Sequence, residues 1–178
     1  MIAVINASPL IYLGKIGALT LVPKLFSHCY TTLLVKEEVL SKESTPEYPI
    51  LEEVFSDWLK IKEPRNQNLR KRLEEMQMHP GEASIIALGK ELQDKVKENV
   101  IIIDDLAARE IARTLELNIT GTIGVILKSM RLEIITKKKC KDFIQILVEN
   151  TTFRISATVY SKILKEIDNF HAKELKES

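Results

Sequence analysis

The stretch Val100-Ile101-Ile102-Ile103-Asp104-Asp105 joins four consecutive β-branched apolar residues to two adjacent carboxylates. A continuous Val/Ile run is typical of a strand buried on both faces, as in a parallel sheet covered by helices. A helical pattern follows from Leu106 onward. Ligands of open α/β sheets bind outside the carboxyl ends of the strands, which is where both aspartates fall. One aspartate is enough to cap the following helix, so the second is left for chemistry.

The rest of the chain repeats this alternation of strand and helix. Residues 2–5 predict another buried strand that ends at Asn6, and residues 29–32 and 118–120 predict shorter strands. The most apolar helical segment covers 82–92, where small residues allow close packing on a sheet. The pattern predicts an α/β fold with a central parallel sheet flanked by helices. Three details complete the prediction: a loop at 41–49, a possible extended piece at 59–61, and a basic segment at 136–141 before a helix at 143–148.

Composition excludes several classes of protein. The 178 residues are 45% hydrophobic, which suits one globular domain with a real core. With 26 basic and 25 acidic residues, the net charge of +1 indicates neither a global nucleic-acid-binding field nor acidic disorder. The chain start lacks a basic leader segment, and no apolar run approaches the roughly 20 residues of a membrane span. Cys29 and Cys140 have no metal-site spacing, so we expect reduced thiols and a cytoplasmic location without membrane association.

Polar residues follow the predicted strand ends, and two helices add carboxylates near their apolar faces. Glu82 opens the apolar helix, where a first-turn acid that complements the helix dipole is an equal alternative. Glu38 has Glu37 beside it, and by itself is better explained as a surface residue. Acids from several segments that met at one sheet edge would repel one another without a cation. Oxygen ligands without a His/Cys set suit Mg²⁺ or Mn²⁺.

Five segments, taken in order, resemble the PIN-domain family and within it a prokaryotic branch related to the VapC toxins. They are Ile5-Asn6-Ala7-Ser8-Pro9-Leu10-Ile11, Val35-Lys36-Glu37-Glu38-Val39, Pro80-Gly81-Glu82-Ala83, Ile103-Asp104-Asp105 and Gly121-Thr122-Ile123-Gly124. The resemblance covers residues 1–132. We expect residues 133–178 to be a helical extension packed on the same domain. The implied fold is the PIN-like three-layer α/β fold.

The resemblance implies a metal-dependent endoribonuclease of the toxin type, in which acids hold Mg²⁺ or Mn²⁺ for RNA cleavage. The residues carried over by position are Asn6, Glu38, Glu82 and Asp105 as metal ligands, Glu38, Glu82, Asp104 and Asp105 as the catalytic acids, and Ser8 and Thr122 as substrate contacts. Arg109 is a further candidate substrate contact, because it lies one helical turn after Asp105. For Arg109, contact with a phosphate and pairing with Asp105 are equally open. The family also implies a homodimer and an antitoxin protein as partner.

The departure from the family pattern is Asn6, which stands where PIN nucleases usually carry their first aspartate. An amide oxygen coordinates a cation but brings no charge. The alternative function is therefore a non-catalytic PIN-like module that binds RNA or protein. A nucleotide- or small-molecule-binding α/β domain is less favoured, because the chain has neither GxGxxG nor GxxxxGK[ST].

Overall fold

The architecture is a five-stranded parallel sheet flanked by helices, as predicted. A computed structural model describes residues 1–96 and 98–170. The strands are β1 (Ile2–Ile5), β2 (His28–Thr31), β3 (Leu59–Ile61), β4 (Asn99–Ile102) and β5 (Ile119–Thr120). They lie in the order β3-β2-β1-β4-β5, and every neighbouring pair is parallel. Parallel neighbours need crossover connections, which the helices supply.

The described residues form ten helices. They are α1 (Ala7–Lys15), α2 (Leu21–Leu25), α3 (Leu33–Val39), α4 (Tyr48–Ser56), α5 (Gln67–Glu75), α6 (Pro80–Gln93), α7 (Leu106–Thr114), α8 (Thr122–Arg131), α9 (Lys137–Asn150) and α10 (Ala157–Asn169). Among the residues described, no helix is both long and apolar enough to cross a bilayer.

The centre of the sheet is covered on both faces. Ala3, Val4 and Ile5 point alternately to the two faces, and all three are fully buried. The apolar helix α6 reaches this sheet very closely at Gly89, where a Cβ atom would lie 2.3 Å from Cδ1 of Ile101. The small residue expected in this helix therefore sets the distance between helix and sheet.

Strand register brings three polar segments to one edge of the sheet. Ile5 of β1 and Thr120 of β5 both pair with Ile102 of β4. The chain then leaves all three strands at the same level, into Asn6, residues 103–105 and residues 121–122. This edge is the carboxyl end of the parallel sheet, where α/β folds bind ligands.

The structure confirms one local prediction and differs from two others. Residues 59–61, predicted as an extended piece, form a regular strand that pairs with β2. The predicted loop at 41–49 ends early, because α4 begins at Tyr48. The helix predicted at 143–148 begins at Lys137, since Thr136 caps it by accepting a hydrogen bond from the Lys139 amide (3.1 Å). The basic segment is thus the first part of α9, because a cap and a buried face outweigh its run of like charges.

The C-terminal helices belong to the same hydrophobic core as the sheet. Cys140, Ile144 and Ile167 are fully buried in it. The turn between α9 and α10 also reaches back to α1, where the rings of Tyr12 and Phe153 meet edge to face with centroids 5.1 Å apart. This contact brings residues from the end of the chain to the polar edge of the sheet.

Candidate metal and substrate site

A cavity of about 910 Å³ opens at the carboxyl end of β1, β4 and β5. Seven of the eight predicted site residues line it: Asn6, Ser8, Glu38, Glu82, Asp104, Asp105 and Arg109. Thr122 is fully buried and lies behind the cavity wall. The seven predicted residues in the lining come from four separate parts of the chain.

Asn6 lies at the base of this cavity with an unsatisfied oxygen. Its side chain is 4% exposed, and its Oδ1 is buried with no hydrogen-bond partner among the described residues. Asn6 occupies the N-cap position of α1, yet its side chain makes no capping hydrogen bond. A buried oxygen left without a partner costs about 1–3 kcal/mol. An amide oxygen in this state is suited to a ligand that accepts its lone pair, such as a divalent cation.

Three carboxylates from different elements influence one another in the cavity. Glu38 comes from α3, Glu82 from the first turn of α6, and Asp105 from the residue before α7. The pKa of Glu82 is raised above its ordinary value of 4.5, first by burial and then by repulsion from Asp105 and Glu38, while His79 opposes the shift. All three carboxylates line the same cavity, so each contributes negative charge to the surroundings of Glu82.

Asp105 is the aspartate that caps α7. Its Oδ1 accepts a hydrogen bond from the Ala108 amide (2.8 Å), while Oδ2 has no hydrogen-bond partner in the described part of the chain. The side chain is exposed to the cavity. The Asp105 carboxylate thus caps the helix with Oδ1, and its Oδ2 is left for a ligand.

Asp104 has both of its oxygens occupied. Oδ1 accepts from the Thr122 amide (2.8 Å), and Oδ2 accepts from the Thr122 hydroxyl (2.6 Å). The pKa of Asp104 is raised above its ordinary value because burial outweighs the two hydrogen bonds from Thr122 and the charge of Arg109, which lower it. Asp104 therefore ties the end of β4 to the start of α8. Thr122 was predicted as a substrate contact, but its hydroxyl donates a hydrogen bond to the Asp104 carboxylate.

Gly121 lies close to both the Asp104 carboxylate and the Arg109 guanidinium. The Arg109 guanidinium donates through Nη1 to the backbone oxygen of Ile103 (2.8 Å). A Cβ atom on Gly121 would lie 2.6 Å from Oδ1 of Asp104 and 3.1 Å from Nη1 of Arg109. Of the two roles left open for Arg109, pairing with Asp105 is not observed, since its carboxylate neighbour is Asp104. The guanidinium still borders the cavity, so contact with a phosphate remains a prediction.

Several cavity residues were not predicted from the sequence. His79, the residue before α6, lies with Nδ1 3.9 Å from Oε2 of Glu38. The glycine at position 81 was a sequence signal for this close approach, because a Cβ atom there would lie 3.1 Å from Oε2 of Glu38. The other unpredicted residues are Tyr12 and residues of the C-terminal segment, among them Phe153 and Arg154. They carried no local signal, because only chain packing brings them here.

The donor set of the cavity fits a hard cation. All candidate ligand atoms are oxygens, from three carboxylates and the buried amide of Asn6. Within the described residues, no three His, Cys, Asp or Glu side chains approach closely enough to hold a metal ion by themselves. Repulsion keeps like charges apart when nothing compensates them. The fit therefore depends on the neutral oxygen of Asn6 as well as on the acids.

Comparison with known proteins gives the family. A family model described as DUF3368, PIN domain, matches residues 2–169. The match runs through α9 and all of α10, so it includes most of the segment predicted as an extension. No curated protein matches the chain at a significant level. The VapC-like branch and the division at residues 132 and 133 stay predictions. The chain belongs to the PIN-domain family, whose nuclease-like three-layer α/β fold it shares.

Proposed function

We propose that this protein is a metal-dependent endoribonuclease. The observation that carries the proposal is the buried, unpartnered Oδ1 of Asn6 in a cavity where the charges of Glu38 and Asp105 raise the pKa of Glu82. PIN domains generally depend on divalent metal, and the family suggests RNA as substrate. An unsatisfied oxygen beside mutually repelling acids is the electrostatic state that a divalent cation relieves.

The residues that would hold Mg²⁺ or Mn²⁺ are Asn6, Glu38, Glu82 and Asp105. When bound, such a cation supplies Lewis-acid chemistry that activates water and stabilises charge on the scissile phosphate. The chain itself orients the ligands. Asp105 is held at the start of α7 by its capping hydrogen bond, and the Asp104–Thr122 hydrogen bonds hold the end of β4 to the start of α8. Ser8 and Arg109 border the cavity where an RNA phosphate would approach.

Mn²⁺ calorimetry on the wild type and on Asp105→Asn tests the metal site. Asparagine is as good an N-cap as aspartate, so this change removes charge while it keeps the helix. We expect at least a tenfold loss of affinity, corresponding to about 1.4 kcal/mol. Glu38→Gln and its neighbour Glu37→Gln form a matched pair, since Glu37 does not line the cavity. Equal effects of the paired changes would contradict the assignment of Glu38.

RNA cleavage tests the activity. We expect cleavage of single-stranded RNA in Mn²⁺ or Mg²⁺, its loss in EDTA, and its loss in Asp105→Asn. The circular dichroism spectrum of the variant serves as the folding control. Cleavage that persists in EDTA and in the variant would exclude the proposed mechanism.

The alternative is a non-catalytic RNA- or protein-binding PIN module. Two observations favour it: the neutral side chain at position 6, and the lack of a three-acid metal cluster among the residues described. Asn6→Asp separates the two functions, because it adds the missing ligand charge. A variant that gains Mn²⁺ affinity and cleavage over an inactive wild type would establish the alternative for the natural chain.

The proposal also includes a toxin role, an antitoxin partner, a homodimer and a cytoplasmic location. They rest on the family resemblance and, for the location, on the sequence. Sedimentation equilibrium tests the dimer, since a solution mass equal to the 20.3 kDa of one chain would refute it. Growth arrest on expression, relieved by Asp105→Asn, tests the toxin role.

A further inference from the structure

We infer that the apolar end of the cavity is a subsite for one unpaired nucleobase. It is formed by α8, by the turn between α9 and α10, and by the first turns of α10. The inference rests on the proposed function, because RNA is the substrate that the acidic end would cleave. It adds a place on the protein where the base next to the scissile phosphate is held.

The cavity has two chemically different ends. The acidic end consists of Asn6 and the three carboxylates. The other end is lined mainly by aliphatic and aromatic side chains: Ile123, Leu127, Phe153, Ile155, Val159 and Ile163. Of these, Val159 is 43% exposed, and Phe153, Ile155 and Ile123 are half-buried. Apolar surface left open inside a cavity favours a ligand with an apolar face.

Two guanidinium groups border the same cavity. Arg154 donates from Nη1 to the backbone oxygens of Thr151 and Phe153, each at 3.0 Å, and so is fixed beside the apolar end. Neither Arg109 nor Arg154 has a carboxylate oxygen within 4.0 Å in the part of the chain that the structure describes. Guanidinium groups without a carboxylate partner match the phosphates that flank a base.

One polar group is also available in the apolar end. Gly124 has no Cβ atom, and a Cβ there would lie 2.1 Å from Oγ1 of Thr120. The glycine therefore lets the Thr120 hydroxyl lie against α8 in the cavity wall, where this hydroxyl has no hydrogen-bond partner among the described residues. A hydroxyl beside apolar side chains recognises a ligand with a flat apolar face and a polar edge.

An unpaired nucleobase combines these properties. Proteins recognise single-stranded RNA by stacking splayed bases on aromatic and aliphatic side chains, while basic groups bind the backbone. The cavity of about 910 Å³ is large enough for a nucleotide as well as a metal ion. A double helix would keep its bases stacked, so the subsite requires a single-stranded substrate.

Methyl NMR in EDTA tests the subsite without any cleavage or metal. The probes are the four nucleoside 5′-monophosphates, and ribose 5-phosphate as the comparison that lacks a base. We expect at least one nucleotide to shift the methyl signals of Ile123, Ile155 and Val159, while ribose 5-phosphate leaves them in place. The methyl signal of Ile61, in the strand at the opposite edge of the sheet, is the internal reference.

A matched pair of variants locates the base. Val159→Asp puts a charge into the subsite, and Thr158→Asp puts the same charge one residue away on the same helical turn, outside the cavity lining. Both additions suit the first turn of α10, so both chains should fold. We expect Val159→Asp to weaken nucleotide binding about tenfold or more, the scale of one lost base stack, and Thr158→Asp to change it less than twofold.

Three results would overturn the inference. They are unmoved methyl signals with every nucleotide, identical shifts with ribose 5-phosphate, and methyl signals that change with protein concentration alone, which would indicate a second copy of the chain in the subsite. Failure here with intact metal-dependent cleavage would remove the base subsite and leave the proposed function. Nucleotide binding without any metal binding or cleavage would do the reverse.

Discussion

Two neighbouring strand ends carry polar side chains that differ in their hydrogen bonding. At the end of β1, Asn6 has a buried oxygen without a partner. At the end of β4, both oxygens of Asp104 accept hydrogen bonds from Thr122. The two strands are paired in register up to this point, with Ile5 beside Ile102. Asn6 and Asp104 therefore occupy almost the same position in the fold, and their side chains differ in hydrogen bonding.

The difference separates stabilising groups from groups suited to a ligand. A buried polar group with all its hydrogen bonds stabilises the fold, whereas an unsatisfied one costs free energy unless a ligand compensates it. On this comparison, Asp104 holds the cavity together, and Asn6 with Glu38, Glu82 and Asp105 is suited to bind. Each variant below changes one side of the comparison.

Replacing Asp104 should have the largest effect on stability. Asp104→Ala leaves the amide and hydroxyl of Thr122 without acceptors behind the cavity wall, and should lower the free energy of unfolding by about 2–4 kcal/mol. Denaturant unfolding measures it. Thr122→Val, which removes one of the two donors, should cost less. A loss below about 0.5 kcal/mol for Asp104→Ala would mean that the bonds to Thr122 do not stabilise the fold.

Gly121→Ala should have the next largest effect on stability. It should lower the free energy of unfolding by about 1–3 kcal/mol, because the added methyl group displaces the Asp104 carboxylate. The backbone of Gly121 is extended, with φ −131°, so alanine adopts it without strain. In the double variant with Asp104→Ala, most of this cost should disappear. Gly17→Ala is the control: φ is +69° with no atom within 4 Å, so its cost should add fully to that of Asp104→Ala.

Glu82→Gln should change the pH dependence of stability. The folded pKa of Glu82 lies above the ordinary value of 4.5, so the folded chain binds more protons between these two values. The free energy of unfolding therefore falls as pH rises through this interval. Glutamine carries no titrating proton and removes that loss of stability. At about pH 7 the variant should therefore have a higher melting temperature than the wild type, by about 2–4 °C for each kcal/mol gained. Below pH 4.5 the variant should have no such advantage.

The control for this pH dependence is Glu37→Gln, which makes the same chemical change at the exposed neighbour of Glu38, outside the cavity lining. A Glu82→Gln variant that melts at or below the wild-type temperature at neutral pH would contradict the repulsion among the acids. Added Mn²⁺ should reverse the order of the two proteins, because it stabilises only the chain that keeps the carboxylate.

Asn6→Ala should have the smallest effect on stability, within about 1 kcal/mol of the wild type, since Oδ1 loses no hydrogen bond. Thermal unfolding in EDTA measures this. The same variant should bind Mn²⁺ more weakly in calorimetry. A stability loss as large as that of Asp104→Ala would show that the two strand ends are equivalent, and the comparison would fail.

Much of the fold could be predicted from short segments. The Val/Ile runs of β1 and β4, the helical pattern after each, and the apolar α6 were readable because strand and helix periodicity are local properties. The polar residues at the strand ends were readable for the same reason. For the short edge strand β3 the sequence indicated only an extended piece, since pairing with β2 rather than its own pattern makes it a strand.

The sequence by itself determined that this chain forms a parallel α/β sheet with polar residues at one edge, because hydrophobic periodicity acts over a few residues. Only the tertiary structure decided that Asp105 caps α7 while Asp104 bonds to Thr122, 18 positions away. It also decided that Phe153 meets Tyr12 in the lining of the cavity. Such contacts depend on strand register and helix packing, which join residues far apart in the chain.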